Sequence, residues 1–147
     1  MKEYTVEVDG KGTKYWYLHG KLHREDGPAI EYANGTKFWY LNDEPHREDG
    51  PAIEYADGTK YWYLNGDRHR IDGPAVEWAD GTKCWYFDGK LHREDGPAIE
   101  WGSKSWWLNG IQYSEKEYWN QLSPAKELTV NEIEKLLGYK IKVVGNT

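Results

Sequence analysis

The residues best suited to chemistry recur at a fixed step. His23, His46, His69 and His92 lie 23 residues apart, each near acids in runs such as His23-Arg-Glu-Asp26. Histidine beside carboxylates is the raw material of a metal site or a general base. The spacing argues against a shared metal. Equivalent positions in adjacent copies are expected two strands apart, roughly 10 Å at about 4.8 Å per strand. A zinc ion needs its nitrogen ligands at about 2.0–2.1 Å. A structural role is expected instead, with Arg24 pairing with Asp26 or with an acid of the next copy, and the histidine donating to a loop carbonyl. The only cysteine, Cys84, excludes a disulfide framework and has no helix terminus beside it to activate a thiolate. Serines and threonines fall mainly at turns and strand starts without a converging base. No glycine-rich stretch precedes a helix as a phosphate loop requires. No cofactor is called for, and four copies of an active site would be an unusual enzyme.

These residues are carried by a repeat. The words Gly35-Thr-Lys-Phe-Trp-Tyr-Leu-Asn42 and His46-Arg-Glu-Asp-Gly-Pro-Ala-Ile-Glu-Tyr55 begin again at Gly12, Gly58 and Gly81, and a shortened copy begins at Gly102. A period of this size points to an array of supersecondary units. The predicted organisation is an N-terminal edge strand in 1–11, five repeats (12–34, 35–57, 58–80, 81–101 and 102–113) and an α/β C-terminal cap in 114–147. Each repeat opens with a β-prone run such as Thr13-Lys-Tyr-Trp-Tyr-Leu18. A turn at His19-Gly20, Asn42-Asp43, Asn65-Gly66 or Asp88-Gly89 follows, then a very short strand or ordered loop that Pro28 and its copies stop. A second strand, Ala29–Tyr32 in the first copy, completes the repeat.

Asn34-Gly35, Asp57-Gly58 and Asp80-Gly81 join one copy to the next. Read as two-residue type I′ turns, they set Glu31 opposite Phe38, Ile30 opposite Trp39 and Ala29 opposite Tyr40. One face would then carry Trp39, Leu41, Ile30 and Tyr32, and the other Ala29, Glu31, Phe38 and Tyr40. The Trp16 slot is Trp in every copy, whereas the Tyr15 slot reads Tyr15, Phe38, Tyr61, Cys84 and Ser105. The tolerant slot argues that the Tyr/Glu face meets solvent or a partner, and that the Trp/Leu/Ile face is core.

The Trp16–Lys21, Trp62–Asp67 and Trp85–Lys90 turns, the histidine after each and the Tyr55–Gly58 closure resemble MORN-type repeats, specifically the variant class of bacterial and viral proteins. The resemblance spans roughly residues 12–110. It implies consecutive β-hairpins stacked into one elongated, twisted antiparallel sheet, a mainly β fold. The His-Gly-x-Gly of typical members is replaced here by His-Arg-Glu-Asp-Gly-Pro. After Gly110 the pattern turns helical. Ser114 with Glu117 and Thr129 with Glu132 are capping boxes, Leu128 is placed to staple the second helix, and a strand is expected over 139–144. The expected role of this segment is to cover the open end of the array.

Nine Trp and twelve Tyr in 147 residues make aromatic rings the main packing material. A net charge of −6 disfavours nucleic acid and anionic membranes as partners. No apolar run suits a signal peptide or a membrane span, so a cytoplasmic protein (the host cytoplasm if viral) is expected. The expected function is a non-catalytic module presenting Tyr17, Phe38, Tyr40, Glu54, Tyr61, Tyr63 and Tyr86 to a protein partner, in the form of a small acidic inhibitor of a host defence enzyme. Asp43, Glu44, His46 and Arg47, in an acidic second copy, form a second-rank contact surface. Burial of the tyrosine face by curling of the sheet is the competing reading. Two other functions stand beside these: a glycan or lipid-surface binder using the exposed rings, and an enzyme with one site at the cap built from Tyr113, Glu117 and Trp119. A homodimer through open sheet edges is also open.

Overall fold

A computed structural model describes residues 2–123, 129–138 and 140. The chain is mainly β. One antiparallel sheet of 12 strands runs as an open meander from Thr5–Val8 through Lys14–Leu18, Ile30–Glu31, Lys37–Phe38, Ile53–Glu54 and their later copies to Ile111–Tyr113. Two short helices follow, α1 (Glu115–Leu122) and α2 (Val130–Leu137). Both start in the expected capping boxes, on Ser114 with Glu117 and on Thr129 with Glu132. The Leu128 staple and, apart from Lys140, the strand expected over 139–144 lie outside the described residues. Among the described residues no helix is long and apolar enough to cross a membrane.

The two-residue primed turn falls within the repeat and not at the copy junction. Asn65 and Gly66 both have positive φ, 50° and 83°, and directly join the paired residues Leu64 and Asp67. This is the two-residue primed turn. At the copy junction, Gly35 alone is left-handed, at φ 91°. The Gly35 amide donates to the Tyr32 carbonyl at 3.0 Å, and the Tyr32 amide to the Thr36 carbonyl at 2.9 Å. The loop therefore has three residues, Ala33-Asn34-Gly35, a type I turn closed by a glycine bulge. The Asn34 side chain accepts the Thr36 amide at 3.0 Å and holds the turn.

That extra residue corrects the register. Ile30 pairs with Phe38 and Glu31 with Lys37, and the next copies repeat this as Ile53 with Tyr61 and Glu54 with Lys60. A shift of one residue exchanges the faces. Isoleucine therefore joins the Tyr/Phe/Cys slot, and glutamate joins the tryptophan side. The tolerant slot is interior at its fourth copy, since Cys84 is only 4% exposed.

The first long strand is continuous, but in the second to fourth copies it breaks at Trp39, Trp62 and Trp85. The Trp39 amide bonds the Ala52 carbonyl at 2.7 Å, and the same bond recurs in Trp16–Ala29, Trp62–Ala75 and Trp85–Ala98. All four alanines are fully buried. Beyond the break, Tyr40–Leu41 turns back on Glu44–Pro45 as a separate hairpin. These second hairpins are linked from copy to copy by backbone bonds, such as the Arg24 amide to the Tyr40 carbonyl at 3.0 Å. The second to fourth repeats thus each contribute to two ladders, and the tryptophan marks the break between them.

Candidate functional site

Strand alternation gathers the aromatic residues on one side of the sheet. Phe38 meets Tyr32 and Tyr55 edge to face at 5.3 and 5.6 Å, Tyr55 meets Tyr61 at 5.9 Å, and Tyr61 meets Trp78 at 6.3 Å. Tyr40 and Tyr63 flank this line, at 6.4 Å from Phe38 and 6.5 Å from Tyr61. Edge-to-face pairs at such distances are favourable and hold the rings in fixed orientations. The result is a continuous stripe crossing three repeats. Its inner rings are half-buried, and Tyr55 and Trp78 are exposed. Desolvation, reinforced by neighbouring tyrosines, raises the Tyr40 and Tyr55 hydroxyls above the ordinary tyrosine value. They stay neutral hydrogen-bonding groups near pH 7.

Arg68 lies within this stripe. Its Nε donates to the Tyr63 hydroxyl at 3.2 Å and its Nη1 to the Tyr86 hydroxyl at 3.4 Å. Its guanidinium sits 5.6 Å from the Tyr61 ring centre and 5.3 Å from that of Tyr86. Sequence reasoning missed Arg68, Tyr32, Tyr55 and Trp78. The signal for Arg68 was available, because its slot otherwise holds Leu22, Pro45 and Leu91. Tyr17 sits at the N-terminal end, paired with Thr5.

The opposite side holds a repeated arginine clamp. Arg47 stacks 4.1 Å from the Trp39 ring centre and donates to Asp49 at 2.7 Å, to the Pro51 carbonyl at 3.2 Å and to Glu54 at 3.0 Å. Glu54 therefore lies away from the tyrosines with which it was grouped. Arg24, Arg70 and Arg93 repeat the arrangement on Trp16, Trp62 and Trp85. The glycine of each loop lets the arginine approach closely: a Cβ on Gly50 would lie 3.0 Å from the Arg47 guanidinium carbon and press on it. The arginine pairs with acids of its own copy, Asp26 and Glu31 for Arg24, and not with the next.

Histidine links the copies through Nδ1, which in His23, His46 and His69 faces both the backbone amide and the side-chain oxygen of the next copy's turn residue. Nδ1 of His23, His46 and His92 accepts the backbone amides of Asn42, Asn65 and Asn109 at 3.1–3.2 Å. His69 has the same contact with the Asp88 amide at 3.2 Å, and the side-chain oxygen it faces, Asp88 Oδ1 at 2.8 Å, belongs to a carboxylate. Asp43 is also structural. Its carboxylate accepts the Leu22 amide at 2.7 Å, and its own amide donates to the Leu22 carbonyl. Glu44 is exposed and lines a shallow cleft with Lys21, His46 and Asn65. The second-rank set is thus divided between loop, turn and clamp roles. Cys84 is shielded, and burial pushes its thiol up to about 11. Among the described residues no group of three or more His, Cys, Asp and Glu could hold a metal ion.

Comparison with known proteins finds no matching family model and no matching curated relative.

Proposed function

We propose that this chain is a non-catalytic, MORN-like repeat module that binds a protein partner through its aromatic stripe. One observation carries the reading: the ring-to-ring line from Tyr32 to Trp78, with Tyr40 and Tyr63 beside it and Arg68 among the rings. Tyr, Trp and Arg are the residue types enriched in protein interfaces. Rings already fixed by their neighbours lose little entropy on binding. The specific form of the reading is a small acidic inhibitor, phage or viral in origin, acting on a host defence enzyme in the cytoplasm. It rests on repeat type, chain length and the net charge of −6.

The test is affinity capture from host lysate with the tagged chain and with a Tyr55→Ala/Trp78→Ala variant. These two residues are the exposed rings of the stripe, so their loss should leave the sheet folded, as circular dichroism would show. A stoichiometric protein partner that the folded variant no longer captures is the expected result. Equal capture by the variant, or no partner at all, would overturn the reading.

A further inference from the structure

The side of the sheet that carries the His-Arg-x-Asp-Gly-Pro loops has a cleft between each loop and the next. The first, about 680 Å³, lies between Arg24–Pro28 and His46–Asp49. The second, about 540 Å³, lies between Arg47–Pro51 and His69–Asp72. The third, about 850 Å³, lies between Arg70–Pro74 and His92–Asp95. At the fourth position no further loop follows. Helix α1 packs there against strand Ser103–Leu108 and inserts Tyr118, which is fully buried. The Tyr118 hydroxyl donates to the Arg93 carbonyl at 2.6 Å and accepts the Gly96 amide at 3.2 Å. Gly96 is buried, whereas its counterparts Gly27, Gly50 and Gly73 are half-exposed.

The chain therefore displays one occupant of this kind of loop surface: a phenol whose hydroxyl bridges the arginine carbonyl and the glycine amide. Arg70 and Gly73 occupy the corresponding positions beside the third cleft. Two substitutions give that cleft an apolar lining, and only the second of them is particular to it. The slot of Glu25, Glu48 and Glu94 holds Ile71, which is 85% exposed and lines the second and third clefts. The slot of Leu18, Leu41 and Leu64 holds Phe87, exposed and 4.5 Å from the His69 ring. Apolar groups have replaced a charged and a smaller residue at the place where a ring would enter.

We infer that the third cleft is a docking pocket for a tyrosine side chain of a protein partner. Ile71 and Phe87 contact the ring. The Arg70 carbonyl and the Gly73 amide take the hydroxyl, as Arg93 and Gly96 take that of Tyr118. This site is on the opposite side of the sheet from the aromatic stripe and does not rest on the function proposed for it.

The test is NMR titration of the full-length labelled chain with N-acetyl-tyrosinamide, and in parallel with N-acetyl-phenylalaninamide. The Gly73 amide and the Ile71 methyl signals should shift saturably with the tyrosine probe. Gly96, already sealed, should not move. The phenylalanine probe should bind about thirtyfold more weakly, the loss expected for two net hydrogen bonds. Ile71→Glu restores the residue of the other copies at an exposed position and should weaken tyrosine binding about tenfold. The inference is overturned by unmoved Gly73 and Ile71 signals, by equal binding of the two probes, by equal shifts at Gly27 and Gly50, or by an Ile71→Glu chain that binds as well as the parent.

Discussion

Replacing Arg70 by alanine should cost about 3 kcal/mol of stability, and the structure shows where that energy resides. The guanidinium lies 4.1 Å from the Trp62 ring centre, half-shielded, a geometry worth about 1 kcal/mol. Its Nη1 donates to the Pro74 carbonyl at 3.2 Å, adding about 1 kcal/mol. The bond to Glu77 at 3.0 Å is partly shielded and adds roughly 0.5–1 kcal/mol. The bond to Asp72 at 2.9 Å reaches a carboxylate that is 83% exposed, so solvent screening leaves it adding little. Lysine at the same position keeps the charge but cannot stack flat or fork to several acceptors. It should lose about 1–2 kcal/mol. The assay is urea unfolding followed by tryptophan fluorescence, at about 0.15 M and about 1 M salt. Most of the loss should persist at high salt, because stacking and the carbonyl bond are not ion pairs between exposed groups. A loss under about 1 kcal/mol for Arg70→Ala, or a loss that vanishes at high salt, would refute the view of this arginine as a clamp across its repeat.

Two further outcomes follow from the end of the array and its interior. Tyr118→Phe keeps the ring but strands the Arg93 carbonyl and the buried Gly96 amide, so stability should fall by about 2 kcal/mol, with faster hydrogen exchange at Gly96; a neutral effect would mean that water replaces the hydroxyl. Cys84, its thiol raised to about 11 by burial, stays protonated well above neutral pH, so a thiol reagent at about pH 8 should react only as fast as the chain unfolds, and prompt labelling would contradict the interior placement.

Much of the architecture was legible in the residues themselves. The 23-residue recurrence and the Asn-Gly and Asp-Gly pairs announce tandem hairpins, and the open 12-stranded sheet follows from them. The two capping boxes announce the starts of both helices, because a hydroxyl and a carboxylate three residues apart satisfy the first free amides wherever they occur. The tyrosine row was likewise legible, since Phe38, Tyr40, Tyr61 and Tyr63 keep one parity along their strands.

Other features depend on what the chain meets in space. Asn34-Gly35 and Asn65-Gly66 read alike as sequence, yet one closes a three-residue loop and the other a two-residue loop. The difference is one residue, and in a structure of period two it decides which face Glu54 occupies. Only the folded sheet brings Arg47 onto Trp39 and Glu54, sets Arg68 among Tyr61, Tyr63 and Tyr86, and brings each histidine Nδ1 to the next copy's backbone amide. The repeat, its hairpins and its helix caps were determined by local sequence, because their hydrogen bonds close within a few residues. The face of each side chain and its partner were decided by tertiary structure, because those contacts join residues 5 to 19 positions apart along the chain.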